Sequence, residues 1–152
     1  MRQIALAGRY VRWSLSIFLV VALAACSVSL ISAYDDIFDK AAADTQKKVS
    51  LLMEQLQREG SAARQYSNSV KAYTDIDADL HFLLVRAEAN SSSGPNSETV
   101  TIVQTIQQNM ALVEEQHRRK PSGPSMAFLQ SAQQQLDLQF VALIQLELAK
   151  KR

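Results

Sequence analysis

Apolar residues recur at three- and four-residue steps along most of the chain after residue 33. In four stretches this spacing places them on one face of a helix, with polar side chains between them, and no stretch alternates with the two-residue period of a strand. The pattern therefore predicts four amphipathic helices. Their predicted apolar faces consist of Tyr34, Phe38, Ala41, Val49, Leu52 and Leu56; Tyr66, Val70, Tyr73, Ile76, Leu80, Leu83 and Ala87; Ile102 or Val103, Ile106, Met110 and Val113; and Met126, Leu129, Ala132, Leu136, Phe140, Leu143 and Leu146.

Polar segments that contain Gly or Pro separate these stretches, at 59–61, 90–97 and 120–125. Such residues are the usual punctuation between helices. Ser61 and Ser97 stand where a side-chain oxygen would cap the second and third helices. Four helices of similar length with short connections predict an all-α fold, an up-down-up-down four-helix bundle.

The first 25 residues have a different character. They contain three Arg and no acidic residue, and 13–25 are mostly apolar. A basic start followed by a short apolar run is typical of an export signal. The chain's single cysteine, Cys26, follows directly.

Small residues lead into that cysteine, in the order Leu23-Ala24-Ala25-Cys26. This segment resembles the lipobox of bacterial lipoprotein precursors, in which the cysteine is the invariant modified residue. The resemblance implies cleavage before Cys26 and its acylation, which would anchor the protein to a membrane. The expected organisation is a signal peptide at 1–25, a lipidated tether at 26–33 and the bundle at 34–152. Ser27 resembles the sorting pattern for the outer membrane.

An uncleaved membrane anchor is the alternative interpretation of the same segment. The apolar stretch continues past Cys26 to Tyr34, which gives roughly the 20 residues that a spanning helix needs. Trp13 and Tyr34 would then lie at the two interfaces. Both interpretations place the rest of the chain outside the cytoplasm.

The start of the predicted bundle carries a second, weaker resemblance. Tyr34-Asp35-Asp36, Asp39-Lys40 and Thr45-Gln46-Lys47-Lys48-Val49 are similar to the beginning of small helical bacterial lipoproteins of uncharacterised function. This similarity supports the lipobox and implies no mechanism. Acids at a helix start also complement the helix dipole.

Charge and cysteine content narrow the classes of function. All 15 acidic residues and all but three of the 16 basic residues lie after residue 25, so that part carries a formal charge of about −2. This balance does not indicate a nucleic-acid partner. With one cysteine, no disulfide can form within the chain, and stability has to come from packing.

Glu114 and His117 form the strongest candidate for metal chemistry. Their Glu-x-x-His spacing places a carboxylate and an imidazole on one helix face, as in di-iron bundles. Such sites need a second motif, and the other histidine, His81, has Ala78 three residues before it. We therefore expect His117 to be a solvated or helix-ending histidine.

Asp75, Asp77 and Asp79 imitate the opening of a calcium loop. No Gly follows at the turn position, and Arg86 occupies the place of the bidentate Glu, so we expect a solvated helix surface. The tyrosines at helical spacing, Tyr34, Tyr66 and Tyr73, are expected in the core or at its edge rather than around a ligand.

No catalytic, cofactor-binding or metal-ligating residue is assigned, and the only predicted site is the lipidation of Cys26. The sequence predicts a non-enzymatic envelope lipoprotein with a binding or assembly role in the periplasm, attached to the outer membrane in preference to the inner membrane. Its expected partners are the membrane and an envelope protein. A single-pass, signal-anchored sensor or ligand-binding domain and a metal-binding helical bundle remain as alternatives.

Overall fold

The computed structural model describes residues 34–58, 60, 62–90, 97–120 and 122–151. They contain four α-helices, α1 (Asp36–Gln57), α2 (Tyr66–Asn90), α3 (Glu98–Arg119) and α4 (Met126–Lys150), and a 3-10 turn at Ala62–Arg64 between α1 and α2. No strand is present in these ranges. The all-α prediction is confirmed.

Each helix packs against two neighbours. The α1 and α3 helices both contact α2 and α4, so the four helices form a closed ring. Short connections reverse the chain direction between consecutive helices. The result is the predicted up-down-up-down bundle, and the α1–α4 contact closes it.

The four apolar faces meet in one core, although some predicted members lie elsewhere. Leu52, Leu80, Ile106 and Phe140 are fully buried as expected. Ala42 and Thr45 lie deeper than the predicted Ala41, and Ser69, Thr99, His117 and Glu147 bring polar groups inside. In α2 the predicted Val70 is exposed. Its neighbour Ser69 points inward because its hydroxyl donates to the carbonyl of Ala63, 2.8 Å away.

Helix ends follow the capping rules at three places. Asp35, Ser97 and Ser125 cap α1, α3 and α4 by accepting backbone N–H groups, so the Ser97 cap is confirmed. The expected helix start directly after Ser61 is wrong, because residues 62–64 form the 3-10 turn and α2 begins at Tyr66. Ser61 itself lies outside the described residues.

The predicted signal peptide, the tether and Cys26 all precede residue 34 and lie outside the described residues. Among the helices from α1 to α4, none combines the length and apolar character that a bilayer span requires.

Candidate functional site

His117 lies in the last turn of α3 with 0% of its surface exposed. Its Nε2 is 3.0 Å from the carbonyl oxygen of Arg64, and its Nδ1 is 3.0 Å from the hydroxyl of Tyr73. A carbonyl oxygen can only accept, so Nε2 carries a proton and donates it, and in that tautomer of the neutral ring Nδ1 accepts the hydroxyl hydrogen of Tyr73. Both nitrogens of the imidazole thus have a hydrogen-bond partner inside the bundle.

This environment corrects the expectation for His117. It does end a helix, but it is not solvated. Its partner in the motif, Glu114, accepts a 2.7 Å hydrogen bond from the hydroxyl of Tyr66, whose ring stands edge-on to the imidazole at 5.6 Å. The Glu-x-x-His pair therefore contributes to a contact between α2 and α3. In the part of the chain that the structure describes, no group of three His, Cys, Asp or Glu side chains is arranged to hold a metal ion.

Tyr73 is the second buried polar residue of the cluster around His117. Burial, and secondarily the negative charge of Glu114, raises the pKa of its phenol. Tyr73 therefore remains protonated and keeps its donor role toward Nδ1 of His117. Tyr73 lies in the core and Tyr66 lies at its edge, as predicted.

Arg64 joins three chain segments at the same end of the bundle. Its guanidinium donates to the carbonyl of Leu56 at 2.7 Å and to the carbonyl of Pro124 at 3.0 Å, while its own carbonyl accepts from His117. Gly123, at a φ of 82°, packs against its backbone. Arg64 thus connects the end of α1, the α3–α4 loop and the end of α3.

The opposite end of the bundle contains two charged clusters. Asp35 accepts from the guanidinium of Arg86 and from the side-chain amide of Asn90, in addition to its capping bonds. The hydrogen bond from Arg86 is the main cause that holds the pKa of Asp35 below its usual value. Glu147 and Lys150 form a buried ion pair at 2.5 Å, and the hydroxyl of Thr99 bonds to both.

Sequence reasoning missed these clusters for different reasons. Asp35 was expected only to complement the helix dipole, although its position before Asp36 is a possible signal for a cap. Glu147 occupies the inward position of the α4 face beside the predicted Leu146, and no sequence signal indicated that a carboxylate would be buried there.

The three aspartates of the calcium-like spacing do not converge. Asp75 pairs with Lys71 on the same helix, Asp79 pairs with Lys48 of α1, and Asp77 is exposed. His81 is also exposed. Arg86, which stood in the place of the calcium-binding Glu, pairs with Asp35 instead.

A groove of about 490 Å³ runs between α1 and α2 on the bundle surface. We call it the α1–α2 groove. Its apolar walls include the half-exposed side chains of Leu51 and Phe82, and the Lys48–Asp79 pair crosses it at 2.6 Å. The remaining lining residues are Ala41, Asp44, Thr45 and Lys47.

A second, shallower recess of about 360 Å³ lies between α1 and α4. Four glutamines line it, and among them Gln57 donates to Gln133. Its other lining residues are Asp137, Leu138 and Val141. The two recesses differ in chemistry, since the first has charges of both signs and the second has one carboxylate.

Comparisons with protein-family models, curated proteins and solved structures found no match to this chain. Proposals about its function therefore have to come from its own residues and their arrangement.

Proposed function

We propose that this protein is a lipid-anchored component of a bacterial cell envelope that binds an amphipathic helix of a partner protein in the α1–α2 groove. Anchorage rests on the Leu23-Ala24-Ala25-Cys26 motif behind a basic and apolar leader. The motif supports a position on the periplasmic side, and Ser27 after the cysteine supports the outer membrane in preference to the inner membrane.

The observation that carries the binding role is the combination of apolar walls and a charged rim in one groove. Leu51 and Phe82 offer large apolar side chains to solvent at a place where two helices already form a trough. Burial of an apolar helix face in such a trough is a common mode of peptide recognition. The occupant would place apolar residues at three- and four-residue steps against these two side chains.

The charged residues at the edge of the α1–α2 groove determine which charges a bound helix should carry. Lys47 and Asp44 line the groove, and Lys48 is bound to Asp79. A partner helix with an acidic residue toward Lys47 and a basic residue toward Asp44 would match this pattern. Charges of both signs favour a protein segment over a uniformly anionic surface.

The buried polar groups already form hydrogen bonds within the bundle, and this supports a binding role over catalysis. His117, Tyr73 and Glu147 each form hydrogen bonds within the bundle, and none of them lines the groove. A nucleophile and a base within reach of each other and of a substrate pocket would be needed for catalysis.

Site-specific photo-crosslinking in cells tests the groove. A photo-reactive residue in place of Phe82 should capture one defined protein, and Leu51→Ala should reduce that product. Leu112, equally exposed on α3, is the matched control position. Capture of the same protein with equal yield from position 112, or none from position 82, would contradict the proposal.

Acyl labelling and intact mass test the anchor separately. The protein should carry lipid on Cys26 and lack its first 25 residues, and Cys26→Ser should abolish both changes. A full-length, unacylated chain in membranes would favour the single-span alternative. Density-gradient separation of the two membranes would then show whether the protein sediments with the outer one.

A further inference from the structure

The outward face of α4 has almost no charge. Between Met126 and Leu146, Asp137 is the only ionisable residue. Leu138, Val141 and Leu148 are nevertheless 63%, 45% and 47% exposed, on a helix that also contributes to the core with its other face. Adjacent apolar side chains that are exposed and rimmed by polar residues mark an interaction surface.

Four residues on this face form a pattern that reads the same in both directions. Gln134, Leu138, Val141 and Gln145 are all exposed, and the steps between them are four, three and four residues. These steps place them in one line along the helix, as in a coiled-coil seam. We call these four residues the α4 seam. Its order is polar, apolar, apolar, polar.

We propose that two copies of this chain pair through the α4 seam, with their α4 helices antiparallel about a two-fold axis. A two-fold interface joins the same patch of both subunits, so the patch has to be complementary to itself. In the antiparallel register Leu138 lies opposite Val141 of the second copy, and Gln134 lies opposite Gln145. Apolar groups meet apolar groups, and the amides can both donate and accept.

The near absence of charge favours a second copy over a different partner. A face with a net charge repels itself in a two-fold dimer, whereas a neutral face does not. Asp137 lies beside the seam, and in this register it faces the small, exposed Ala142. The two aspartates would then be offset by about 7.5 Å along the helix axis, at 1.5 Å per residue.

The recess between α1 and α4 provides room for the contact. Leu138, Val141 and Gln134 of the seam lie at its edge. A side chain from the second copy can enter the recess and contact the glutamines there. The α1–α2 groove is on another face of α1, so the dimer and the proposed partner complex do not compete.

Analytical ultracentrifugation of the full chain in detergent tests the association. We expect a reversible dimer, and Leu138→Asp should weaken it at least ~100-fold, because each new carboxylate would be buried against Val141 of the second copy without a cation. Leu112→Asp on α3 is the control that should leave the dimer intact. A wild-type chain that stays monomeric, or equal dimerisation of the Leu138→Asp variant, would overturn the proposal. Circular dichroism confirms that both variants are folded.

Disulfide crosslinking determines the orientation. In a Cys26→Ser background, which removes the only native cysteine, one preparation carries Gln134→Cys and another carries Gln145→Cys. When the two preparations are mixed, the antiparallel register predicts a disulfide between them. Neither preparation alone should form one, since the same position in the two copies is about 16 Å apart along the axis. Crosslinking of the Gln134→Cys preparation with itself would overturn the antiparallel arrangement.

Discussion

The Nε2 hydrogen of His117 is donated to the carbonyl oxygen of Arg64, across 53 positions in the chain. This bond ties the last turn of α3 to the 3-10 turn that precedes α2. Because Arg64 also binds the carbonyls of Leu56 and Pro124, one buried imidazole and one guanidinium together join both connections at this end, α1–α2 and α3–α4. We expect the stability of the bundle to depend on this cluster.

Replacement of His117 by Ala should lower the free energy of unfolding by about 2–4 kcal/mol, because it leaves a cavity and unpaired groups on Tyr73 and Arg64. His81, the other histidine, is exposed, and His81→Ala should change the free energy of unfolding by less than about 0.5 kcal/mol. Urea denaturation of the two variants measures the difference. Equal, small effects would show that His117 is not buried as described.

Gly123→Ala should destabilise the bundle more than Gly60→Ala. Both glycines have positive φ, at 82° and 68°, so both substitutions carry backbone strain of about 1 kcal/mol. A Cβ at position 123 would also lie 3.2 Å from the carbonyl oxygen of Arg64, whereas one at position 60 meets no atom within 4 Å. Thermal unfolding of the matched pair isolates the steric contact with Arg64.

Stability should fall in acid through Asp35. Its pKa is lower in the folded state than in the unfolded chain, because Arg86 and the backbone N–H groups of α1 favour the carboxylate. The contribution of Asp35 to the free energy of unfolding is therefore complete above the ordinary aspartate pKa. It is lost as the pH falls toward the lower pKa of the folded state. Asp35→Asn should flatten the pH dependence of the unfolding free energy in that range. Asp77→Asn, at an exposed position on α2, is the matched control.

The Glu147–Lys150 pair offers a double-mutant test. Lys150→Met alone should cost about 3 kcal/mol, since it leaves the carboxylate of Glu147 buried without its cation. Glu147→Leu together with Lys150→Met should recover most of that loss, because no buried charge remains. Chemical denaturation of the single and double variants checks this. A double variant as unstable as the single one would mean that the pair is needed for more than charge balance.

Much of the fold could be predicted because helix formation and capping depend on neighbouring residues. The three- and four-residue spacing indicated all four helices, and Ser97 was recognised as a cap from its position alone. The start of α2 was missed because the 3-10 turn at Ala62–Arg64, which delays it to Tyr66, has no periodic signal.

The candidate sites could be predicted less well. The Glu-x-x-His spacing drew attention to Glu114 and His117, but only packing places His117 against Tyr73 and the backbone of Arg64. The α1–α2 groove also had no sequence signal, since Leu51 and Phe82 belong to helices whose apolar faces were assigned to the core.

The sequence by itself determined the helical class, the number of helices and the breaks between them, because these follow from short-range periodicity and from Gly, Pro and capping residues. Tertiary structure alone decided which polar groups are buried. Burial of His117 and Asp35 is stable only when partners distant in sequence supply hydrogen bonds or charge, and Glu147, whose cation Lys150 is local, still takes a hydrogen bond from Thr99 of α3. That pairing depends on how α1, α2, α3 and α4 come together, and no local pattern records it.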